Sequence, residues 1–416
     1  MFIASATRGL ASYIHLANSV VEELIRRWPV IDFFLDGQRA SLNELTQPFH
    51  KFAVIVFHSG SDVVTIGKDE IDINLAPSTV LNDSSLMDSP FFLKVKLGEG
   101  VIRANTDNFS TFPLSVVFSE PIITASWNQL LCSFGQRYRL IAPSTELLIN
   151  KDGLTEIREF TSMNYIHDHS PESLLNLIDS SVRKSVSKRC AILFSGGLDS
   201  TLLLKLIMDS GRKVLAISVG LNKSHDLALS EKVAKLIGAD RFTVELSQEK
   251  ILQSSIHIRN MLRINGLMDT SIAVLFYNGA LEAASSGIRQ LVAGQGADEL
   301  FGGYKKYLRI YESSGPINVE KVMTQDLVSL WRNGIVRDYS ATALAGCLLT
   351  LPYLDPDIVG FLKSLPISAK ISPPLRKLIL RKVCSAAGLP EEVCMYEKKA
   401  AQYGSGIEKV LRKAYR

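Results

Sequence analysis

The chain lacks any run of about eighteen apolar residues, so no membrane span is predicted. It also lacks a Cys-x-x-Cys pair: the five cysteines, Cys132, Cys190, Cys347, Cys384 and Cys394, are odd in number and scattered. That pattern argues against a disulfide framework and against a cysteine-ligated zinc or iron–sulfur site, and a reducing cytoplasm fits it best. No block of five or six like charges occurs, and a net charge of +4 over 416 residues is mild. Basicity therefore supplies no argument for a nucleic-acid partner. The N-terminal stretch alternates apolar and polar positions and is broken by Arg8, Glu22 and Glu23, so a continuous signal-peptide core is missing. Internal repeats and low-complexity tracts are absent as well.

What is present is a chain with 46% hydrophobic residues, enough for a sizeable core in two domains. Residues 1 to about 160 carry short strand-like runs such as FAVIVFH, DVVTIG, FFLKVKLG and LSVVFSE, separated by Asn, Asp, Ser, Pro and Gly. Two further runs flank Asp152-Gly153, a hairpin signal. This half is expected to be a smaller, β-rich α+β domain. Ser170 ahead of Pro171 and Glu172 marks a helix start, which places the domain boundary near residue 165, with domains 1–164 and 165–416.

Beyond that boundary apolar strands alternate with helices. Strands are expected at 190–194, 213–220, 241–246 and 289–294, with helical segments between them. Such alternation predicts an α/β fold with a Rossmann-like parallel sheet covered on both faces, whose ligands sit outside the carboxyl ends of the strands. The remainder, from about 300, reads as helices and loops.

Ser195-Gly-Gly-Leu-Asp-Ser200 falls at the end of the first of these strands and opens a helix. Backbone N–H groups at a helix start have no intrahelical partner and suit an anion, and glycines let the main chain approach it closely. Asp199 beside an anion makes sense if a magnesium ion lies between them. The plain alternative is a glycine turn with serine caps. A second loop, AGQGADELFGGYKKY at 293–307, follows the fourth strand and carries the adjacent acids Asp298 and Glu299. Two such loops in a parallel sheet can flank one crevice, bringing Asp298 toward Asp199 so that both hold one Mg2+. Otherwise Asp298 and Glu299 would simply cap the next helix.

SGGLDS resembles the pyrophosphate (PP) loop of the ATP pyrophosphatases, and GQGADELFGGY resembles the second motif of asparagine synthetases and their relatives. VRDY at 336–339, LPYLDPDIVGFLKSLP at 351–366 and KKAAQYGSG at 398–406 continue the similarity in the family's order, over about residues 165–410. The nearest flavour is the group of asparagine synthetase domain-containing proteins. The resemblance implies an adenine nucleotide alpha hydrolase-like synthetase domain, preceded by a degenerate Ntn-type glutamine amidotransferase domain. It further implies ATP and Mg2+ as cofactors, attack of a substrate carboxylate on the α-phosphorus to give an acyl-adenylate and pyrophosphate, and displacement of AMP by ammonia or an amine. Carried over by position, Ser195, Gly196, Gly197, Asp199 and Ser200 would hold pyrophosphate and metal, with Asp298 the second metal ligand. Phe194, Val219, Ala293 and Gly294 would border the adenosine, and Lys399 or Lys398 would meet the phosphates. Such a lysine acts by fixed electrostatics.

The chain also departs from the family. Glutamine-dependent members carry a cysteine after the initiator methionine; here position 2 is Phe2, which implies no glutaminase by that route. The catalytic glutamate expected in the helix before the second motif has no equivalent in NMLRINGLMDTSIAV, where Asp269 is the only acid, and the glutamate of Gly-Glu-Gly is Gln295. Arg337 and Asp338 read as a buried structural pair rather than substrate contacts. His167 and His169 read as solvent-facing, and Cys190 as a buried small hydrophobe. The leading expectation is thus an adenylate-forming amide synthetase acting on a small carboxylate with ammonia or an amine. The alternatives are a nucleotide-binding scaffold or regulator and, third, a tRNA-modifying relative. A protein partner for the first domain and a homodimer remain open, and neither a membrane nor nucleic acid is called for.

Overall fold

The computed structural model describes residues 168–396 and 404–415 continuously. Among residues 1–167 it describes 2–5, 26–27, 30–35, 38–39, 53–58, 64–66, 70–75, 89–98, 101–109, 112–117, 122–125, 138–150 and 153–158. Among these, the first half forms two antiparallel sheets, of seven and six strands. Phe2–Ser5 lies between Ile122–Ala125 and Ala53–His58 in the larger one. In the smaller, Thr145–Asn150 and Gly153–Arg158 pair with Asn150 opposite Gly153, the two-residue hairpin predicted from Asp152-Gly153.

The second half is built on a five-stranded sheet, all of whose pairs are parallel: β1 (Arg189–Leu193), β2 (Lys213–Leu221), β3 (Arg241–Leu246), β4 (Gln290–Val292) and β5 (Leu348–Thr350). Their spatial order is β3-β2-β1-β4-β5. This is the doubly wound arrangement, and its topological switch lies between β1 and β4. Cys190, Ala191 and Ile192 of the central strand are fully buried, because helices cover both faces of a parallel sheet and no face is left for water. The predicted strands are therefore present, with no end shifted by more than two residues. One correction concerns the last third of the chain, expected to be helices and loops only. Leu348–Thr350 extends the sheet as β5, a strand too short for an alternating pattern to register.

Helices used below are α1 (Pro171–Ser185), α2 (Leu198–Asp209), α3 (His225–Ile237), α4 (Gln248–Leu262), α5 (Leu267–Ser285), α6 (Ala297–Phe301), α7 (Pro316–Leu330), α8 (Val336–Leu344) and α9 (Leu378–Ala386). Ser170 caps α1 by accepting from the Ser173 N–H at 3.1 Å, with Pro171 in the first turn where its missing N–H costs nothing. A π-helical turn, Trp331–Ile335, joins α7 to α8. Among the described residues no helix is long and apolar enough to cross a membrane.

The core runs without a break from Leu93 and Leu147 of the first half to Ile192, Leu291 and Leu411 of the second. Phe112 stacks obliquely on Tyr339, ring centroids 5.4 Å apart, and Arg289 Nη1 donates to the Arg27 carbonyl at 2.8 Å. The β-rich half thus rests against the α/β half.

Candidate functional site

The loop after β1 turns sharply because Gly196 adopts φ +72°, a left-handed conformation that only glycine takes cheaply. The backbone of Leu229 and Ser230 in α3 passes so close that a Cβ at Gly196 would lie 2.9 Å from it. Gly197 then starts α2 with no side-chain cap, while Thr201 Oγ1 and Ser200 Oγ donate back to the Gly197 carbonyl at 2.8 and 3.2 Å. The Ser195 and Ser200 hydroxyls lie 3.3 Å apart. Helix α2 begins at Leu198, so Asp199 falls in its first turn.

The loop after β4 lies directly beside it. Gly294 lets the two loops touch, since a Cβ there would sit 3.2 Å from the Asp199 Cβ. Gly296 at φ +87° opens the five-residue α6, which carries Asp298 and Glu299 in its first turn. Asp199 and Asp298 converge on one point, and Lys377, at the start of α9, occupies it. Its Nζ stands 2.7 Å from both Asp199 carboxylate oxygens and 2.6 Å from Asp298 Oδ1. Burial works against this ammonium, yet the two carboxylates more than offset it and hold Lys377 above the ordinary lysine range. Glu299 is buried and accepts from the Tyr304 hydroxyl at 2.6 Å. Burial first and the Asp298 charge second push its carboxyl up to about 7.

These groups line a cavity of about 990 Å3 that opens outside the carboxyl ends of β1, β2 and β4. Phe194, Val219 and Ala293 form part of its wall, with Met268, Ile272 and Phe276 of α5 adding apolar surface. At its far side Arg337 is held by Asp338 Oδ1 at 2.7 Å, Asp269 Oδ1 at 2.6 Å and the Asn333 carbonyl at 3.2 Å. Gln295 Nε2 donates to the other Asp338 oxygen. Arg337 and Asp338 are thus a buried pair, and Arg337 and Gln295 also face the cavity.

The site tolerates a divalent cation in its donor chemistry. Two carboxylates already cluster around a positive charge, and magnesium binds through one or two carboxylates completed by phosphate oxygens and water. Among the described residues no group of three or more His, Cys, Asp or Glu side chains could hold a metal, so the protein alone offers an incomplete shell.

Lys398 and Lys399 lie outside the described residues, as do His167 and Cys132. Nearby, the Ser405 carbonyl accepts from the Leu221 N–H at 2.9 Å, and Tyr396 lines the cavity. His169 is exposed, with its Nε2 2.8 Å from the Ser364 hydroxyl. Cys190 is fully buried, and burial pushes its thiol up to about 12. Lys377 escaped the sequence reasoning. It sits in PPLRKLILRK, where a lysine in a basic stretch looks solvated; only the fold turns it inward.

The asparagine synthase family model matches residues 173–318 and 311–416, which together cover more than half of the chain. A Methanocaldococcus jannaschii protein assigned as a glutamine-hydrolysing asparagine synthetase is 27% identical over 372 residues, 76% of this chain and 68% of its own. Glutamine-hydrolysing asparagine synthetase of Cricetulus griseus is 28% identical over 250 residues, 56% of this chain and 43% of its own. Asparagine synthetase domain-containing protein 1 of Gallus gallus is 32% identical over 137 residues, 32% of this chain and 21% of its own. The chain thus spans about two thirds of the archaeal relative and less than half of the two vertebrate ones.

Proposed function

Because the chain belongs to the asparagine synthase family, we propose that it is an ATP-dependent carbon–nitrogen ligase that activates a small carboxylate as its acyl-adenylate and transfers the acyl group to ammonia or an amine. The observation that carries this reading is the convergence of Asp199 and Asp298 at the switch point of the sheet, beside two helix starts rich in glycine. Open N–H groups at the start of α2 favour pyrophosphate oxygens there, and the Ser195 and Ser200 hydroxyls add donors. The buried apolar wall of Phe194, Val219 and Ala293 suits a purine, which gains by leaving water.

In this scheme Asp199 and Asp298 would hold a magnesium ion, which would supply charge neutralisation as pyrophosphate leaves. The protein's own groups do the rest. The loop after β1 fixes the β and γ phosphates, so that the α-phosphorus faces the incoming carboxylate; such positioning and preorganised charge account for most of the catalysis in phosphoryl-type chemistry. Lys377 stands close enough to meet the leaving pyrophosphate, a role that the family resemblance gives to Lys399 or Lys398. The amine then attacks the acyl carbon, the bond from that carbon to the phosphate oxygen breaks to release AMP, and the proton lost by the amine passes to water. Free ammonia or an amine is the proposed nitrogen source.

One observation favours a second reading, a nucleotide-binding scaffold or regulator with little catalysis. Gln295, at the family's glutamate position, is an amide tied to Asp338 and no acid–base group. The experiment that separates the two is pyrophosphate release from MgATP, run with aspartate plus ammonium, with glutamine in place of ammonium, and with a panel of carboxylates. Release that depends on one carboxylate and is lost in Asp199→Ala supports the ligase. ATP binding with silence across the panel supports the scaffold. A protein partner for the β-rich half and a reducing, cytoplasmic setting belong to the same proposal.

A further inference from the structure

The two glycine-rich loops aim their carboxylates at a point that a cation of the chain itself already fills. Lys377 Nζ makes three contacts of 2.6–2.7 Å to Asp199 and Asp298, and its side chain is 13% exposed, so water does little of the neutralising. Several features are shaped around this contact. Lys377 holds a left-handed backbone, φ +58° and ψ +37°, which strains a residue with a Cβ and persists only where the surroundings demand it. Its carbonyl accepts from the Arg381 N–H at 2.9 Å, which anchors the turn to α9. Gly303 leaves the space the triad needs, for a Cβ there would overlap both Asp298 Oδ1 and Lys377 Cε.

We propose that Lys377 is a built-in placeholder for the divalent cation: in the nucleotide-free protein its ammonium binds the Asp199–Asp298 pair and excludes free metal ions. The pair is released when the metal arrives already carried on a polyphosphate, because that ligand alone offers Lys377 new anionic oxygens. This rests on the ATP reading above. Physically, an ion entering without phosphate would have to evict a buried ammonium and leave it uncompensated, while gaining only two carboxylates. An ion entering with phosphate leaves the total charge balanced, since the ammonium exchanges carboxylate for phosphate oxygens. Metal and nucleotide affinities should therefore be strongly coupled, each raising the other.

The test uses the full chain and Mn2+, whose free concentration is read by electron paramagnetic resonance, with and without α,β-methylene-ATP. Wild type should bind free Mn2+ about tenfold or more weakly than Lys377→Met, and Lys377→Arg, which keeps the charge, should stay weak. Equal binding of free Mn2+ by wild type and Lys377→Met overturns the placeholder. Should Lys377→Met not fold, as judged by circular dichroism, wild type alone decides: Mn2+ affinity unchanged by the nucleotide overturns the proposal, and an increase of about tenfold or more supports it. The ATP reading fails separately, if labelled nucleotide does not bind wild type at any Mn2+ concentration while free Mn2+ still distinguishes wild type from Lys377→Met.

Discussion

The hydroxyl of Tyr353 donates a hydrogen bond of 2.9 Å to the backbone carbonyl of Asp199, across 154 positions of sequence. Tyr353 is fully buried and its ring meets Phe301 edge-on, at 5.6 Å between centroids. The LPYLD segment therefore braces both glycine-rich loops from beneath: one through the Asp199 backbone, the other through α6. Tyr353→Phe removes one buried hydrogen bond and should cost about 1 kcal/mol in urea unfolding. It should also raise the MgATP KM for pyrophosphate release, because Asp199 loses its brace; an unchanged KM would show that the loop holds itself.

Gly303→Ala is a sharper probe of the same region. The added methyl would overlap Asp298 Oδ1 and Lys377 Cε, so the contact between them would have to shift. A folded protein by circular dichroism whose MgATP-dependent pyrophosphate release drops about tenfold or more is the expected result. Full activity in the variant would mean that Asp298 and Lys377 need not stay where they stand.

Arg337 is nine-tenths buried between Asp338, which is fully buried, and Asp269. Arg337→Met strands the Asp338 carboxylate and should cost about 3 kcal/mol or more in chemical denaturation. The double variant Arg337→Met, Asp338→Asn should recover much of that loss, since no buried charge then lacks a partner. Additive losses in the double-mutant cycle would contradict a coupled pair.

Lys370 is a buried lysine whose burial, the leading cause, lowers its value from 10.5 to about 8 against the pull of Glu320. Unfolded protein binds this proton more tightly than folded protein, so the charged form weakens the fold at neutral pH. Stability from this group rises as pH climbs from about 8 to about 10.5. Lys370→Met should therefore be more stable than wild type at pH 7, by up to roughly 3 kcal/mol, and the gap should narrow steadily above pH 8 and close only above about pH 10.5. A gap independent of pH would point to packing instead.

Cys190 and Cys347 are fully buried, and burial pushes both thiols up to about 12. Thiolate is the reactive form, so neither should be alkylated by iodoacetamide at pH 8 in the native protein. Peptide mapping by mass spectrometry checks this, and rapid labelling of either residue would show an opening of the sheet.

By itself the sequence determined the parallel α/β half and the location of its crevice. Strands buried on both faces must be apolar throughout, as in Cys190, Ala191 and Ile192, and a chain must spend glycines where its backbone turns back, as at Gly196 and Gly296. Both demands are local and therefore visible in a short window. The hairpin at Asn150–Gly153 was legible for the same reason. What only the tertiary structure decided are relations between distant residues. Strand β5 is three residues long and owes its place to pairing with β4, which no periodicity records. Lys377 becomes the partner of Asp199 and Asp298 through long-range packing, and Tyr353 reaches Asp199 in the same way. Charge on a lysine says nothing about its neighbours until the fold removes the water that would otherwise surround it.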